Sequence, residues 1–267
     1  MDGRPIGMFD SGFGGLTVAR AVIDLLPAED LVYIGDTGRY PYGSKPLDEV
    51  RRYAEQITRH LVDRCEVKMV VVACNTAAAA ALDELRDLVD VPVVGVIEPG
   101  VRSLVRTTTT GRVGVIATTG TVGSGAYQLA IEATGAEVVP AIAACPGFVE
   151  FVERGETDSE QVRILAERLL APIREAEVDA LLLGCTHYPF LARAISDAVG
   201  WDVTLVSSAD ETGFEIRRLL DGGALAAPER RRSGVHRFFS TGDVEWFRQL
   251  GRQLLGPEMV SVEALEL

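Results

Sequence analysis

Aliphatic runs without a charge recur along the chain, and each is followed by a short polar or glycine-bearing stretch and then by residues at helical spacing. Residues 6–9 form the first run. Asp10-Ser11-Gly12-Phe13-Gly14-Gly15 breaks it before residues 16–26 resume with a helical period, which predicts strand, tight loop and helix. Residues 31–34 predict a second strand, residues 35–43 a loop rich in turn formers, and residues 47–64 a charged amphipathic helix. The run 69–72 leads into Ala73-Cys74-Asn75-Thr76 and an alanine-rich helix to about residue 89. Residues 93–96 predict a fourth strand, closing with Glu98-Pro99.

At Arg112 the pattern restarts. Residues 112–117 resemble the opening strand, with Thr118-Thr119-Gly120-Thr121 where the first segment has Asp10-Ser11. A helix is expected to about Thr134 and a strand from Val138. Cys145-Pro146-Gly147 then precedes a short helix towards Glu153, and residues 160–175 predict a long one. The run 181–183 ends in Gly184-Cys185-Thr186-His187-Tyr188-Pro189, and residues 203–206 match residues 93–96. The tail predicts a helix over 209–220, an exposed basic loop over 228–234, a strand over 235–240, a helix over 243–254 and a last strand over 259–262. Strands alternating with helices at this spacing predict parallel βα units. The expectation is an α/β fold of two pseudo-symmetric lobes, each a mainly parallel sheet flanked by helices, with the active site between them. The tail holds too little apolar material to stand alone, so the first lobe spans 1–97 plus 208–267 and the second spans 98–207.

The chain has 267 residues, 47% hydrophobic and 24% charged, as expected of a globular protein. Its net charge of −13 opposes sequence-independent attraction to nucleic-acid phosphates or anionic lipid, so neither direct nucleic-acid binding nor a membrane is expected. No signal peptide or membrane span is evident, and a cytoplasmic location is expected. Four cysteines, Cys65, Cys74, Cys145 and Cys185, form no disulfide framework and read as buried, metal-binding or catalytic thiols.

Cys74 and Cys185 stand out as a pair. Each follows an aliphatic strand and precedes a threonine, at the strand carboxyl end where open α/β sheets bind ligands. His187, two residues beyond Cys185, can exchange a proton with that thiol or with a substrate amine. Asp10 caps a helix with Ser11 in the bland reading. If it faces Cys74 it disfavours the thiolate and can instead accept the thiol's proton. Cys65 reads as structural. Cys145 opens a helix, which could depress its pKa, but without a neighbouring hydroxyl or histidine it reads better as packing at a lobe interface. His60 reads as solvated, and His236 is uninformative.

Three other motifs fall short. Gly12-Phe13-Gly14-Gly15-Leu16-Thr17 lacks the third glycine of a dinucleotide fingerprint, although Asp36 stands where a ribose contact would be. A zinc held by Cys74, Cys145, Cys185 and His187 would lack any C-x-x-C chelate pair, and no G-x-S-x-G elbow occurs. Neither metal nor cofactor is expected. Two opposed thiols can invert a stereocentre, one removing a proton from a carbon acid while the other delivers one to the opposite face. Because the two enantiomers need exchanged roles, such an enzyme should carry a base on each of two matching lobes.

At Phe9-Asp10-Ser11-Gly12-Phe13-Gly14-Gly15-Leu16, Tyr40-Pro41-Tyr42-Gly43, Ala73-Cys74-Asn75-Thr76-Ala77, Gly95-Val96-Ile97-Glu98-Pro99, Ala117-Thr118-Thr119-Gly120-Thr121, Cys145-Pro146 and Gly184-Cys185-Thr186-His187-Tyr188-Pro189 the chain resembles the glutamate racemases of the aspartate/glutamate racemase superfamily. The resemblance covers essentially the whole chain. It implies cofactor-independent racemisation of L- and D-glutamate, supplying D-glutamate for peptidoglycan. It further implies Cys74 and Cys185 as the two bases, Asp10 and His187 as their acid/base partners, and Glu153, in a stretch that also holds Glu150 and Glu156, as a helper to His187. Substrate contacts carry over to Asp10, Ser11, Pro41, Tyr42, Gly43, Asn75, Thr76, Thr118, Thr121, Thr186 and His187. Hydroxyls and helix starts at strand ends suit a substrate with two carboxylates. A homodimer is the family expectation. Some glutamate racemases are implicated in binding DNA gyrase, and this acidic chain carries no signal for or against that partner. A catalytically silent amino-acid-binding protein on the same fold is the alternative, which loss of one strand-end thiol would signal.

Overall fold

The computed structural model describes residues 2–221, 225 and 233–267. The chain divides into two compact units, Met1–Val96 with Ala209–Leu267 and Ile97–Ser208.

In the first unit, β1 (Ile6–Asp10), α1 (Leu16–Leu25), β2 (Leu31–Gly35), α2 (Leu47–Asp63), β3 (Met69–Val72), α3 (Asn75–Leu88) and β4 (Val93–Gly95) alternate along the chain. Each residue of these strands is buried, because helices cover both faces of a parallel sheet and leave no side for a polar alternation. That is why the strands read as unbroken aliphatic runs.

The second unit repeats the scheme with α4 (Ile97–Thr107), β5 (Arg112–Ala117), α5 (Thr119–Gly123), α6 (Ala126–Ala133), β6 (Val139–Ala144), α7 (Phe148–Glu153), α8 (Glu160–Glu175), β7 (Ala180–Gly184), a 3-10 turn at Tyr188–Leu191, α9 (Ala192–Val199) and β8 (Thr204–Ser207). After it come α10 (Ser208–Asp221), β9 (His236–Ser240), α11 (Val244–Leu255), a 3-10 turn at Gly256–Glu258 and β10 (Val262–Ala264).

The first sheet runs β10-β9-β2-β1-β3-β4 and the second β6-β5-β7-β8, with parallel pairing throughout. The order β2-β1-β3-β4 therefore recurs as β6-β5-β7-β8. The tail adds β9 to the β2 edge, with Leu31 opposite His236 and Gly35 opposite Ser240.

Several sequence expectations shift. Glu98-Pro99 does not close a strand but lies in the first turn of α4, where a proline lacking N–H is tolerated. The helix expected up to Thr134 is two helices, because Gly125 takes φ +75 between them. The last strand is Val262–Ala264 rather than 259–262, and the preceding Gly256–Glu258 coils as a 3-10 turn. Residues 228–232 of the expected basic loop lie outside the described residues. Among the described residues no helix is long and apolar enough to cross a membrane.

Candidate active site

In the first unit the site grows from two neighbouring strand ends. β1 and β3 run side by side with Phe9 opposite Val72, so the next residues out, Asp10 and Ser11, stand beside Ala73 and Cys74. Asp10 is 1% exposed, and its Oδ2 accepts hydrogen bonds from the Gly12 and Gly15 amides at 3.1 Å each. Its Oδ1, equally buried, has no hydrogen-bond partner. The loop needs glycine at position 15, since a Cβ there would lie 2.6 Å from Asp10 Cβ and 2.8 Å from the Tyr33 hydroxyl.

Cys74 caps the N-terminus of α3. Its Sγ accepts from the Ala77 amide at 3.4 Å and lies 3.7 Å from Ser11 Oγ. Burial pushes the thiol up to about 12, and the negative charge of Asp10 adds to the shift, outweighing the Ala77 and Ser11 contacts that favour the anion. At neutral pH Cys74 is therefore a neutral thiol. Asn75 and Thr76 follow it, both buried in the first turn of α3. Tyr42 is buried and feels the charge of Cys74 if that thiol ionises, which brings the 40–43 loop into the same neighbourhood. Pro41 and Gly43 flank it, half-buried, with Pro41 following a cis peptide bond.

The second unit uses the equivalent strand ends. Ala117 is opposite Gly184 on β5 and β7, so Thr118 stands beside Cys185 as Ser11 stands beside Cys74. Thr118 caps α5, with its Oγ1 2.9 Å from Thr121 Oγ1 and accepting from the Thr121 amide at 3.3 Å. Cys185 Sγ lies 3.9 Å from His187 Nδ1, and His187 Nε2 lies 2.6 Å from Glu153 Oε1. Cys185 and His187 are buried and the Glu153 side chain is only 9% exposed, and Glu153 Oε2 has no hydrogen-bond partner. Burial works against a charged imidazole, but the bonds to Cys185 and Glu153 outweigh it and raise His187 to about 10. His187 thus holds its second proton at neutral pH. Thr186 is buried between the two.

Of the three glutamates in the 150–156 stretch, Glu153 is the one on His187. Glu156 pairs with Arg154 at 2.7 Å, and Glu150 is exposed. Cys145 is 2% exposed, and burial with the charge of Cys185 pushes it up to about 12. The helix-start reading of a depressed thiol is thereby corrected, because α7 begins only at Phe148 and desolvation dominates. Cys65 is half-buried just after α2 and senses Arg237. His60 is likewise half-buried rather than fully solvated, which lowers its pKa. Among the described residues no three His, Cys, Asp or Glu side chains cluster so as to hold a metal ion.

Three residues of these neighbourhoods escape sequence reasoning. Tyr127 is fully buried and carries a phenol whose ionisation burial and the charge of Cys185 both oppose. Tyr33 is equally buried, and its hydroxyl donates to the Gly12 carbonyl at 3.3 Å. An aromatic on a helix or strand reads as core, so neither gave a signal. Asp36 gave one of the wrong kind: its carboxylate accepts from Arg39, Tyr42 and Thr241 and is not open to a ribose.

The profile of the Asp/Glu/Hydantoin racemase family matches residues 14–212. A glutamate racemase from Acidothermus cellulolyticus is 51% identical, over 99% of this chain and 100% of that protein. Among solved structures, glutamate racemase isoform RacE1 from Bacillus anthracis superposes with a TM-score of 0.93 at 38% identity, covering 100% of this chain and 99% of that one. Glutamate racemase from Francisella tularensis in complex with D-glutamate does so at 0.91 and 34%, covering 100% and 98%. The chain belongs to the Asp/Glu/Hydantoin racemase family and, within it, to the glutamate racemases.

Proposed function

We propose that the chain interconverts L- and D-glutamate without a cofactor, with Cys74 and Cys185 as the two proton-transfer groups. The observation that carries this is that each unit ends matching strands in a buried thiol supplied with its own proton partner, Asp10 for Cys74 and His187 for Cys185. One thiolate takes the Cα proton and leaves a carbanion, and the other thiol donates its proton to the opposite face. Racemisation in the reverse sense exchanges the two roles. Cys74 rests as a thiol and must lose its proton before acting as a base, and the unbonded Oδ1 of Asp10 is an acceptor for it. His187, charged and braced by Glu153, exchanges a proton with Cys185 and is placed to feed the donating step.

Glutamate is the substrate favoured by the relatives, of which the Francisella tularensis protein is described in complex with D-glutamate. The hydroxyls of Ser11, Thr76, Thr118, Thr121 and Thr186 and the starts of α3 and α5 suit its carboxylates, with Pro41, Tyr42, Gly43 and Asn75 as further contacts. On this reading the enzyme works in the cytoplasm, as a homodimer, to supply D-glutamate to peptidoglycan synthesis.

The test is circular dichroism of purified protein with each enantiomer of glutamate and of aspartate, with EDTA present and no pyridoxal phosphate. Loss of optical activity with glutamate alone is expected. Activity that vanishes in EDTA and returns with zinc, or that requires pyridoxal phosphate, would refute the two-thiol mechanism.

A further inference from the structure

Asp36 is 0% exposed, immediately beyond β2, and its carboxylate collects three side-chain donors. Oδ2 accepts from the Tyr42 hydroxyl and from Arg39 Nε at 2.7 Å, and Oδ1 accepts from Thr241 Oγ1 at 2.6 Å. Its own amide donates to the Asp10 carbonyl at 2.9 Å. One residue thus touches the start of the Asp10 loop, the loop that carries Tyr42 and Gly43, and the turn that follows β9.

That turn is laced to the same place by further bonds. The Thr241 amide donates to the Gly35 carbonyl at 3.1 Å, the Gly38 amide to Thr241 Oγ1 at 3.0 Å and the Gly242 amide to Thr37 Oγ1 at 3.0 Å. Thr37 Oγ1 and Ser240 Oγ lie 2.6 Å apart. A Cβ on Gly38 would stand 2.7 Å from the Thr241 carbonyl oxygen, so the two turns are pressed together as closely as glycine permits. Tyr42 has its phenol pushed far above the ordinary range by burial and by the charge of Asp36, so its hydroxyl stays protonated and donates to that carboxylate at any working pH.

We infer that Asp36 and Thr241 form a clasp by which the C-terminal segment sets the position of the substrate loop at Tyr42 and Gly43. Both are positioning residues, acting through Tyr42 on glutamate affinity and not on proton transfer. The inference rests on the proposed racemisation of glutamate and assigns a binding role to a segment that the sequence marks only as packing. A carboxylate with no solvent contact that loses one of its donors keeps the desolvation cost of the vacant oxygen, and the loop it holds is free to shift.

The experiment compares Thr241→Val, Thr241→Ser and Asp36→Asn by steady-state kinetics in both directions, with thermal unfolding in parallel. Thr241→Val keeps the shape and removes the hydroxyl. It should raise KM for both enantiomers by about tenfold, the loss of one hydrogen bond to a charged group, while kcat changes little. Thr241→Ser, which keeps the hydroxyl, should restore KM, and Asp36→Asn should raise it at least as much as Thr241→Val. A structural role alone predicts lower melting temperatures with kcat falling in proportion to the folded fraction and KM unchanged. That pattern, or a Thr241→Ser variant as poor as Thr241→Val, overturns the clasp. Unaltered protein in the same assay separates the two ideas. If it fails to racemise glutamate, the proposed function falls. If it succeeds and Thr241→Val keeps the same KM, the clasp alone falls.

Discussion

Cys74 and Cys185 occupy the same place in two sheets that share a four-strand order, yet they keep opposite company. Beside Cys74 stands a carboxylate, Asp10, held by two backbone amides. Beside Cys185 stands an imidazole, His187, held by a carboxylate from α7. By strand register the counterpart of Asp10 in the second unit is Ala117, because Phe9 pairs with Val72 as Ile116 pairs with Leu183. Repetition fixed where the thiols lie and left their electrostatics to be supplied separately. Burial, reinforced by a negative neighbour, keeps Cys74 protonated, whereas a positive neighbour gives Cys185 a ready proton partner. Two copies of a strand order thus carry two buried thiols with unlike neighbours.

The largest effect that tests this contrast comes from removing one thiol at a time. Cys74→Ser and Cys185→Ser should each lower racemisation by about a thousandfold or more, since serine is a far weaker acid. Elimination of chloride from 3-chloroglutamate needs only Cα proton removal, so each variant should still process one enantiomer. Family resemblance assigns the D enantiomer to Cys74, so Cys185→Ser should keep elimination from D and Cys74→Ser from L. The same preference in both variants would mean that the thiols do not serve opposite faces.

A smaller effect, on the order of tenfold in kcat, is expected for Glu153→Gln, which keeps a hydrogen bond to His187 but removes the charge. The pH dependence carries the sharper signature. His187 is raised from its ordinary 6.5 to about 10, so its second proton is fully held below 6.5 and is lost as pH rises through about 10. The stability this proton lends follows the same course. In Glu153→Gln the raised value should fall back, moving the alkaline limb of activity to lower pH, and the difference in melting temperature from wild type should shrink between pH 6.5 and 10. NMR titration of the His187 ring reads the shift directly. An unmoved titration would mean that Glu153 does not hold the charge.

The smallest effect belongs to the third buried thiol. Cys145→Ala should leave turnover close to wild type in both directions and lower stability by about 1–2 kcal/mol, as a small buried side chain is truncated. Racemisation abolished in both directions would promote Cys145 to the chemistry and end the two-thiol comparison.

Much of the molecule was legible because a parallel sheet covered on both faces writes itself as unbroken aliphatic runs, and the residues just past those runs make up the candidate site. Cys74, Cys185, Asp10 and Thr118 were readable for that reason. Helix boundaries were less so: α4 hides behind Glu98-Pro99, where a proline in the first turn looks like a stop, and a single left-handed glycine at 125 divides what a hydrophobic period would join. The support given by Glu153 was visible only through family resemblance, since a bond between residues 34 positions apart depends on how α7 is laid against the end of β7. Asp36 stood out only within a dinucleotide motif that falls short, and its bond to Thr241, 205 residues away, left no local signal.

That separation bears on how the protein assembles. The second unit is one continuous stretch, Ile97–Ser208, so its sheet has every strand it needs as soon as that stretch exists. In the first unit β2 remains an unpaired edge until residues 236–240 arrive, and an open edge is a site for wrong pairing. Because synthesis runs from the N-terminus, the half that is begun first is the half completed last. A nascent chain stopped just past Ser208 would carry a finished second sheet, an unprotected β2 and an Asp36 still waiting for the hydroxyl of Thr241.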